Sequence, residues 1–145
     1  MIHLLRHGDA EPDQGDGDAA RRLTSRGEQQ ARMAGLAMSR LDLGIETCLA
    51  SPRVRAWRTA ELACEALGIE PEMVGKIGDG DYSALDLATG RGRVLIVGHE
   101  PVLSEEIARL TGANVRMKKG GLAILEPNVL KALLRPGELS AIAGS

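Results

Sequence analysis

Val94-Leu95-Ile96-Val97 is an unbroken apolar run, mostly β-branched. A strand of this kind has no polar face to turn to water, so it must be covered on both sides, as strands of parallel sheets are. The segments around it can supply the cover. Ile2 to Arg6 and Thr47 to Ala50 read as further short strands, and Leu122 to Leu125 as another. Val129 to Leu134 suits either a strand or a helix. Between them the apolar period changes to that of a helix. Ala31, Ala34, Met38 and Leu41 recur on one face after Thr24, a good N-cap, with Ser25-x-x-Glu28 as a competing capping frame. Ala56, Thr59, Ala60, Ala63 and Leu67 mark a second helix, opened by Ser51-Pro52 with Pro at the first helical position and ended by Gly68. A third follows Gly98-His99-Glu100-Pro101 and carries Val102, Leu103, Ile107 and Leu110. Strands alternating with helices predict a three-layer α/β/α sandwich with a mostly parallel central sheet, as a single compact domain over residues 1–145.

A chain of 145 residues, 43% hydrophobic, has enough apolar surface to fold without a covalent staple. Its formal charge of −2 leaves no overall basic footprint for nucleic acid. With one Trp, one Tyr and no Phe it cannot build a base-stacking platform either. Cys48 and Cys64 are too few and too isolated for a disulfide framework or a cysteine zinc site, and are expected as reduced core residues. Met1 to Gly8 leads straight into a strand without a basic, then long apolar, leader. No apolar run approaches a membrane span, so the expected location is the cytoplasm. Asp13 to Asp18, all Gly, Gln and Asp, reads as a surface loop.

Two histidines share one kind of address. His7 follows the first strand and His99 follows Val94 to Val97. In open α/β sheets ligands bind beyond the carboxyl ends of the strands. His3 lies inside the first strand and reads as a packed or edge residue. Arg6 precedes His7, and Gly8 after it lets a ligand approach the main chain. Arg53 and Arg55 stand at the start of a helix, where free N–H groups already favour an anion and guanidinium adds bidentate bonding. Histidines, arginines and a helix N-terminus suggest a phosphoryl group as the common ligand. Taken singly, an Arg-His-Gly tripeptide is a weak motif, an Arg-rich helix start is usually a solvated face, and Gly98-His99 could be a simple turn.

Arg6-His7-Gly8, Leu23-Thr24-x-x-Gly27, Ser51-Pro52-x-x-Arg55-Ala56-x-x-Thr59-Ala60 and Val97-Gly98-His99-Glu100-Pro101 occur in that order across most of residues 1–111. Together they resemble the histidine phosphatase superfamily, which also contains the phosphoglycerate mutases. Arg6-His7-Gly8-Asp9-Ala10 and Asp18-x-x-Arg21-x-Leu23-Thr24 are similar to its SixA-type phosphohistidine phosphatase branch. The resemblance implies that His7 is the nucleophile, attacking phosphorus through a neutral ring nitrogen while a carbonyl holds the other N–H. It implies that Arg6, Gly8 and Arg55 cradle the phosphoryl oxygens and that His99 completes the pocket as a donor. Arg21 is placed near the pocket mouth. Arg58, where the family often has Gln, is either a further phosphate ligand or solvated. No metal and no cofactor are required.

Mutase-like members place a proton donor between the second arginine motif and the second histidine. That interval here holds Asp79, Asp81, Tyr82 and Asp86 without a recognisable motif. Asp81 and Asp79 are the candidate acids, with solvated loop positions as the alternative. An alkoxide leaving group needs a strong general acid, whereas an imidazole leaving from a P–N bond needs far less. This favours a protein phosphohistidine in signal transduction as substrate and partner. The alternatives are a small phosphorylated metabolite, or a non-catalytic phosphate-binding module. Trp57 reads as a cover for apolar surface or a partner contact, and Lys118-Lys119-Gly120-Gly121 as a turn into a strand or a substrate-facing segment.

Overall fold

The computed structural model describes residues 1–144. In chain order the elements are β1 (Ile2–Arg6), α1 (Ser25–Arg40), β2 (Thr47–Ala50), α2 (Val54–Leu67), β3 (Pro71–Met73), α3 (Gly75–Asp79), α4 (Ala84–Ala88), β4 (Val94–Gly98), α5 (Val102–Thr111), β5 (Leu122–Glu126), β6 (Val129–Leu134) and α6 (Pro136–Ile142). A 3-10 turn spans Asp18–Ala20. The strands form one sheet in the order β3-β2-β4-β1-β5-β6. The first four run parallel, and β5 and β6 return antiparallel at one side. β4 lies inside this sheet with all five residues buried, as its composition demands.

Alternation along the strands divides the core in two. Leu5, Cys48, Ala50, Leu95 and Val97 face α1, α2 and α6, while Ile2, Leu4, Leu49, Val94 and Ile96 face Ile77 of α3, Ala84 of α4 and Leu103 and Ile107 of α5. This is the expected three-layer sandwich. Cys48 and Cys64 are buried free thiols in the first layer, and the half-buried Trp57 packs against it. His3 is buried in an interior strand with Nδ1 on the Val94 carbonyl at 3.0 Å. Among the described residues no helix is long and apolar enough to cross a membrane.

Thr24 caps α1 by accepting from the Gly27 N–H, so the frame starting at Ser25 is unused. Leu41 does not join the buried stripe. It is the C-cap, 41% exposed, and Ala37 fills the inward position instead. α2 starts at Val54 rather than Pro52 because the Ser51 hydroxyl bonds the Arg53 N–H and delays the first turn. β6 is a strand with alternating exposure. β3, α3, α4 and α6 are too short to leave an apolar period, and the sequence reading placed none of them.

Two close approaches allow only glycine. A Cβ on Gly8 would sit 2.5 Å from the Gly27 carbonyl oxygen, and one on Gly27 would collide with the Asp9 carbonyl oxygen, so the backbone after β1 rests directly on the first turn of α1. Gly35, deep in α1, touches the Ala63 carbonyl of α2 in the same way. An exposed helix-interior Gly→Ala change normally stabilises by about 0.5–1 kcal/mol. Gly35→Ala is expected to do the opposite, destabilising by about 1–3 kcal/mol through overpacking, as read by urea denaturation.

Candidate active site

Parallel pairing of β1 with β4 sets Arg6 opposite Gly98. The next residues, His7 and His99, therefore leave the carboxyl edge side by side, with ring centroids 5.3 Å apart and planes tilted by 53°. β2 pairs Ala50 with Val97, which brings Ser51 to the same edge, where its Oγ lies 2.7 Å from His99 Nε2. α2 begins just beyond, with the partly exposed Arg53 at its N-cap and the buried Arg55 in its first turn.

His7 is 5% exposed. Its Nδ1 is 2.7 Å from the Gly8 carbonyl oxygen, which can only accept, so Nδ1 carries the proton and Nε2 presents a lone pair. Arg55 Nε donates to that lone pair at 3.3 Å. Burial, set against the Gly8 bond and reinforced by the charges of Arg55, Arg6 and Arg21, lowers the His7 pKa to about 4. His99 is lowered to about 3, first by burial and then by His7, Arg55 and Arg53. Both rings are neutral at pH 7.

The backbone that carries His7 is held from two sides. The Gly8 N–H donates to Thr59 Oγ1, and Thr59 in turn donates to the Arg55 carbonyl, tying β1 to α2. On the other side the Gly120 N–H reaches the carbonyls of Arg6 and His7, and the Arg6 N–H donates to Gly121. Gly120 has φ of 77°, so a glycine suits this bend. The backbones of Gly120 and Gly121 thus support the histidine, and the turn that they close leads into β5. Arg6 runs alongside, with Nη1 on the Met117 carbonyl at 2.8 Å.

Asp18, which enters the sequence analysis only as the first residue of Asp18-x-x-Arg21-x-Leu23-Thr24 and without a role, belongs to the site. Its carboxylate accepts from Arg53 Nη1 at 2.6 Å, Arg55 Nη2 at 3.1 Å and Arg21 Nη1 at 3.3 Å, and its carbonyl accepts from Arg55 Nη1 at 2.8 Å. Partial burial opposes ionisation of Asp18, but the bonds from Arg55 and Arg21 and the charge of Arg53 outweigh it and hold its carboxyl below the usual range. The sequence signal was limited to electrostatics: arginines gathered at one helix start need a counterion, but Asp18 lies 35 and 37 residues from Arg53 and Arg55 and is local only to Arg21.

The remaining candidates fall in different places. Arg21 lies at the rim, donating to the Glu11 carbonyl and to Asp18. Arg58 pairs with Glu28 at 3.7 Å and Glu61 at 3.6 Å, so its charge is engaged on the outer side of α2. Asp79 and Asp81 are exposed around the end of α3, and no hydrogen bond or ion pair joins their side chains to the histidines among the described residues. Tyr82 from the same interval is half-buried, with its hydroxyl beside Gly98, and burial pushes its pKa up. Asp86 is exposed in the first turn of α4. Among the described residues no group of three His, Cys, Asp or Glu side chains could hold a metal ion.

A model of the histidine phosphatase superfamily (branch 1) matches residues 2–88. A phosphohistidine phosphatase SixA homolog of Haemophilus influenzae is 33% identical over 127 residues, 77% of each chain. In structure, the chain is similar to the protein histidine phosphatase SixA complexed with tungstate, at a TM-score of 0.83 and 23% identity, covering 95% of this chain and 98% of that one. It is also similar to a phosphoserine phosphatase mutant of Entamoeba histolytica, at a TM-score of 0.69 and 17% identity, covering 95% and 98%.

The buried rings carry a testable signature. Nitrogen-15 NMR is expected to show His7 as the Nδ1–H tautomer, with both site histidines neutral from pH 8 down to about pH 5, below the ordinary imidazole value. Because the folded values lie below 6.5, the unfolded chain binds more protons between there and about 4. The stability from these neutral rings is complete above pH 6.5 and is lost as the pH falls through that window, which denaturation midpoints will show.

Proposed function

The chain belongs to the histidine phosphatase superfamily, and on that premise we propose that it is a metal-independent phosphatase that takes phosphoryl groups from protein phosphohistidine through His7. Residues 1–145 act as one domain in this reading, in the cytoplasm, with a phosphorylated signalling protein as partner. The observation that carries it is the state of His7: a neutral ring whose proton is held by the Gly8 carbonyl and whose Nε2 lone pair faces Arg55.

The lone pair of Nε2 attacks phosphorus as the substrate P–N bond breaks. The electron pair of that bond leaves on the substrate imidazole, which takes a proton from solvent water at the open site and departs neutral, while His7 keeps its own proton on Nδ1. Arg55 Nε lets go of His7 and turns to an equatorial oxygen, and Arg6 and Arg55 together stabilise the charge spread over the phosphoryl oxygens. His99 donates from its ring to the same group, and Gly8 leaves the main chain open to it. Water then attacks the phosphohistidine on His7, and phosphate leaves with the ring restored. The placement of Asp79 and Asp81 suits a reaction with little demand for a general acid, which is why an imidazole leaving group is preferred over a metabolite alkoxide.

In the resting site Asp18 occupies the guanidinium donors that a phosphoryl group would use. A bound dianion has to displace it, so Asp18 limits phosphate affinity and helps product leave. Asp18→Asn keeps the shape and removes the charge. It is expected to bind inorganic phosphate about tenfold more tightly, measured by calorimetry. Weaker binding would mean that Asp18 holds Arg55 in place rather than competing for it.

Phosphate release in EDTA tests the main reading, with a protein phosphohistidine and p-nitrophenyl phosphate as substrates. Wild type is expected to favour the phosphohistidine, and His7→Ala to fall by at least about a thousandfold. Strong monoester turnover would point to a metabolite phosphatase. Phosphate binding without any His7-dependent release would point to a binding module.

A further inference from the structure

Beside the paired histidines lies a second feature, of which the phosphoryl chemistry uses only Arg6. An open hollow of about 430 Å³ is lined by Arg6, Arg26, Lys118, Lys119 and Arg135, with Asp9 as the one carboxylate. The chain as a whole carries a formal charge of −2, so this concentration of positive charge is local. The cations come from separate places in the fold: β1, the first turn of α1, the turn before β5, and the residue that caps α6. Lys119 is shared with Asp9 at 3.5 Å, and Arg135 with Glu138 at 3.2 Å. Arg26 and Lys118 are exposed and have no ion-pair partner among the described residues.

Arg6 links this hollow to the chemistry. It immediately precedes His7 in the chain, and its guanidinium forms part of the hollow's wall. The hollow therefore adjoins the site through Arg6 and lies within reach of chain that flanks a phosphoryl group held at His7. The hollow is much larger than a single phosphate and is open to solvent. No aromatic side chain lines it, so it gives a nucleobase nothing to stack on. Charges spread across an open surface suit an extended chain of carboxylates.

We infer that this hollow is a docking subsite for an acidic segment of the protein that carries the phosphohistidine, recognised by Arg26, Lys118, Lys119 and Arg135. The inference rests on the phosphohistidine reading of the site and adds the chemistry of the partner to it. A rim of exposed charges acts chiefly on encounter and on KM, and its effect weakens with salt. The chemical step at His7 is untouched by it.

The test uses two phosphohistidine peptides, one flanked by Asp and Glu and one by Gly and Ser, together with a fluorescent unphosphorylated copy of the acidic one. Wild type is expected to show a KM about tenfold lower for the acidic peptide at equal kcat, the difference shrinking as salt rises from about 50 to 300 mM. Arg26→Glu with Lys118→Glu removes that preference and the anisotropy signal of the unphosphorylated peptide. It leaves turnover of p-nitrophenyl phosphate and of the neutral peptide as in wild type. Equal KM values for the two peptides in wild type overturn the inference while the phosphatase reading stands. So does a double variant that loses activity on every substrate alike, or a single-stranded RNA that binds the hollow in preference to the acidic peptide. If neither phosphopeptide is hydrolysed but the unphosphorylated acidic peptide binds wild type and not the double variant, the hollow stands and the phosphatase reading falls.

Discussion

The parallel register of β1 on β4 is the constraint from which the site follows. With Arg6 opposite Gly98, the following residue of each strand has to leave the sheet at the same edge and the same height. Two imidazoles from distant parts of the chain thus meet without a long loop to bring them there. The register is itself enforced by burial: β4 is covered on both faces, and a slip by one residue would turn each strand's inward side chains toward the opposite helical layer. The hydrophobic core and the position of the histidines are two results of one alignment.

Around that edge, charge and desolvation are set against each other. Burial keeps His7 and His99 neutral, and the guanidinium of Arg55 pushes both in the same direction, joined by Arg6 at His7 and by Arg53 at His99. A site built of cations and neutral bases would repel itself, and Asp18 relieves this by joining Arg21, Arg53 and Arg55 through one carboxylate. Arg55 has all three kinds of donor engaged, with Nε on His7 and both terminal nitrogens on Asp18. Thr59 and Gly120 hold the backbone on either side, so the orientation of His7 depends on groups from α2 and from the turn before β5.

Much of this was legible in the residues, and for identifiable reasons. Val94 to Val97 announced an interior strand because nothing in it could face water, and Thr24 announced a helix start because its hydroxyl matches an orphan N–H. His7 and His99 were found because strand ends in an α/β fold gather at one place. Leu41 was misread because apolar spacing continues past the residue where the helix stops. Ser51-Pro52 looked like a helix start, but the serine hydroxyl is spent on the Arg53 N–H and on His99. Asp18 went unplaced because its bonds cross to residues 35 and 37 positions away, a pairing that no local pattern encodes.

Gly8 and Gly27 touch through bare backbone. Seen as a matter of heritable change, the two positions are not independent. Both already have the smallest residue, so a side chain gained at one cannot be accommodated by trimming the other. The exposed stretch from Asp13 to Gly17 is under no such constraint, since its Gly15 and Gly17 N–H groups close on the carboxylate of Asp13 itself. That stretch can lengthen or change composition while the peptide between His7 and Gly8 stays where β1 and α1 put it.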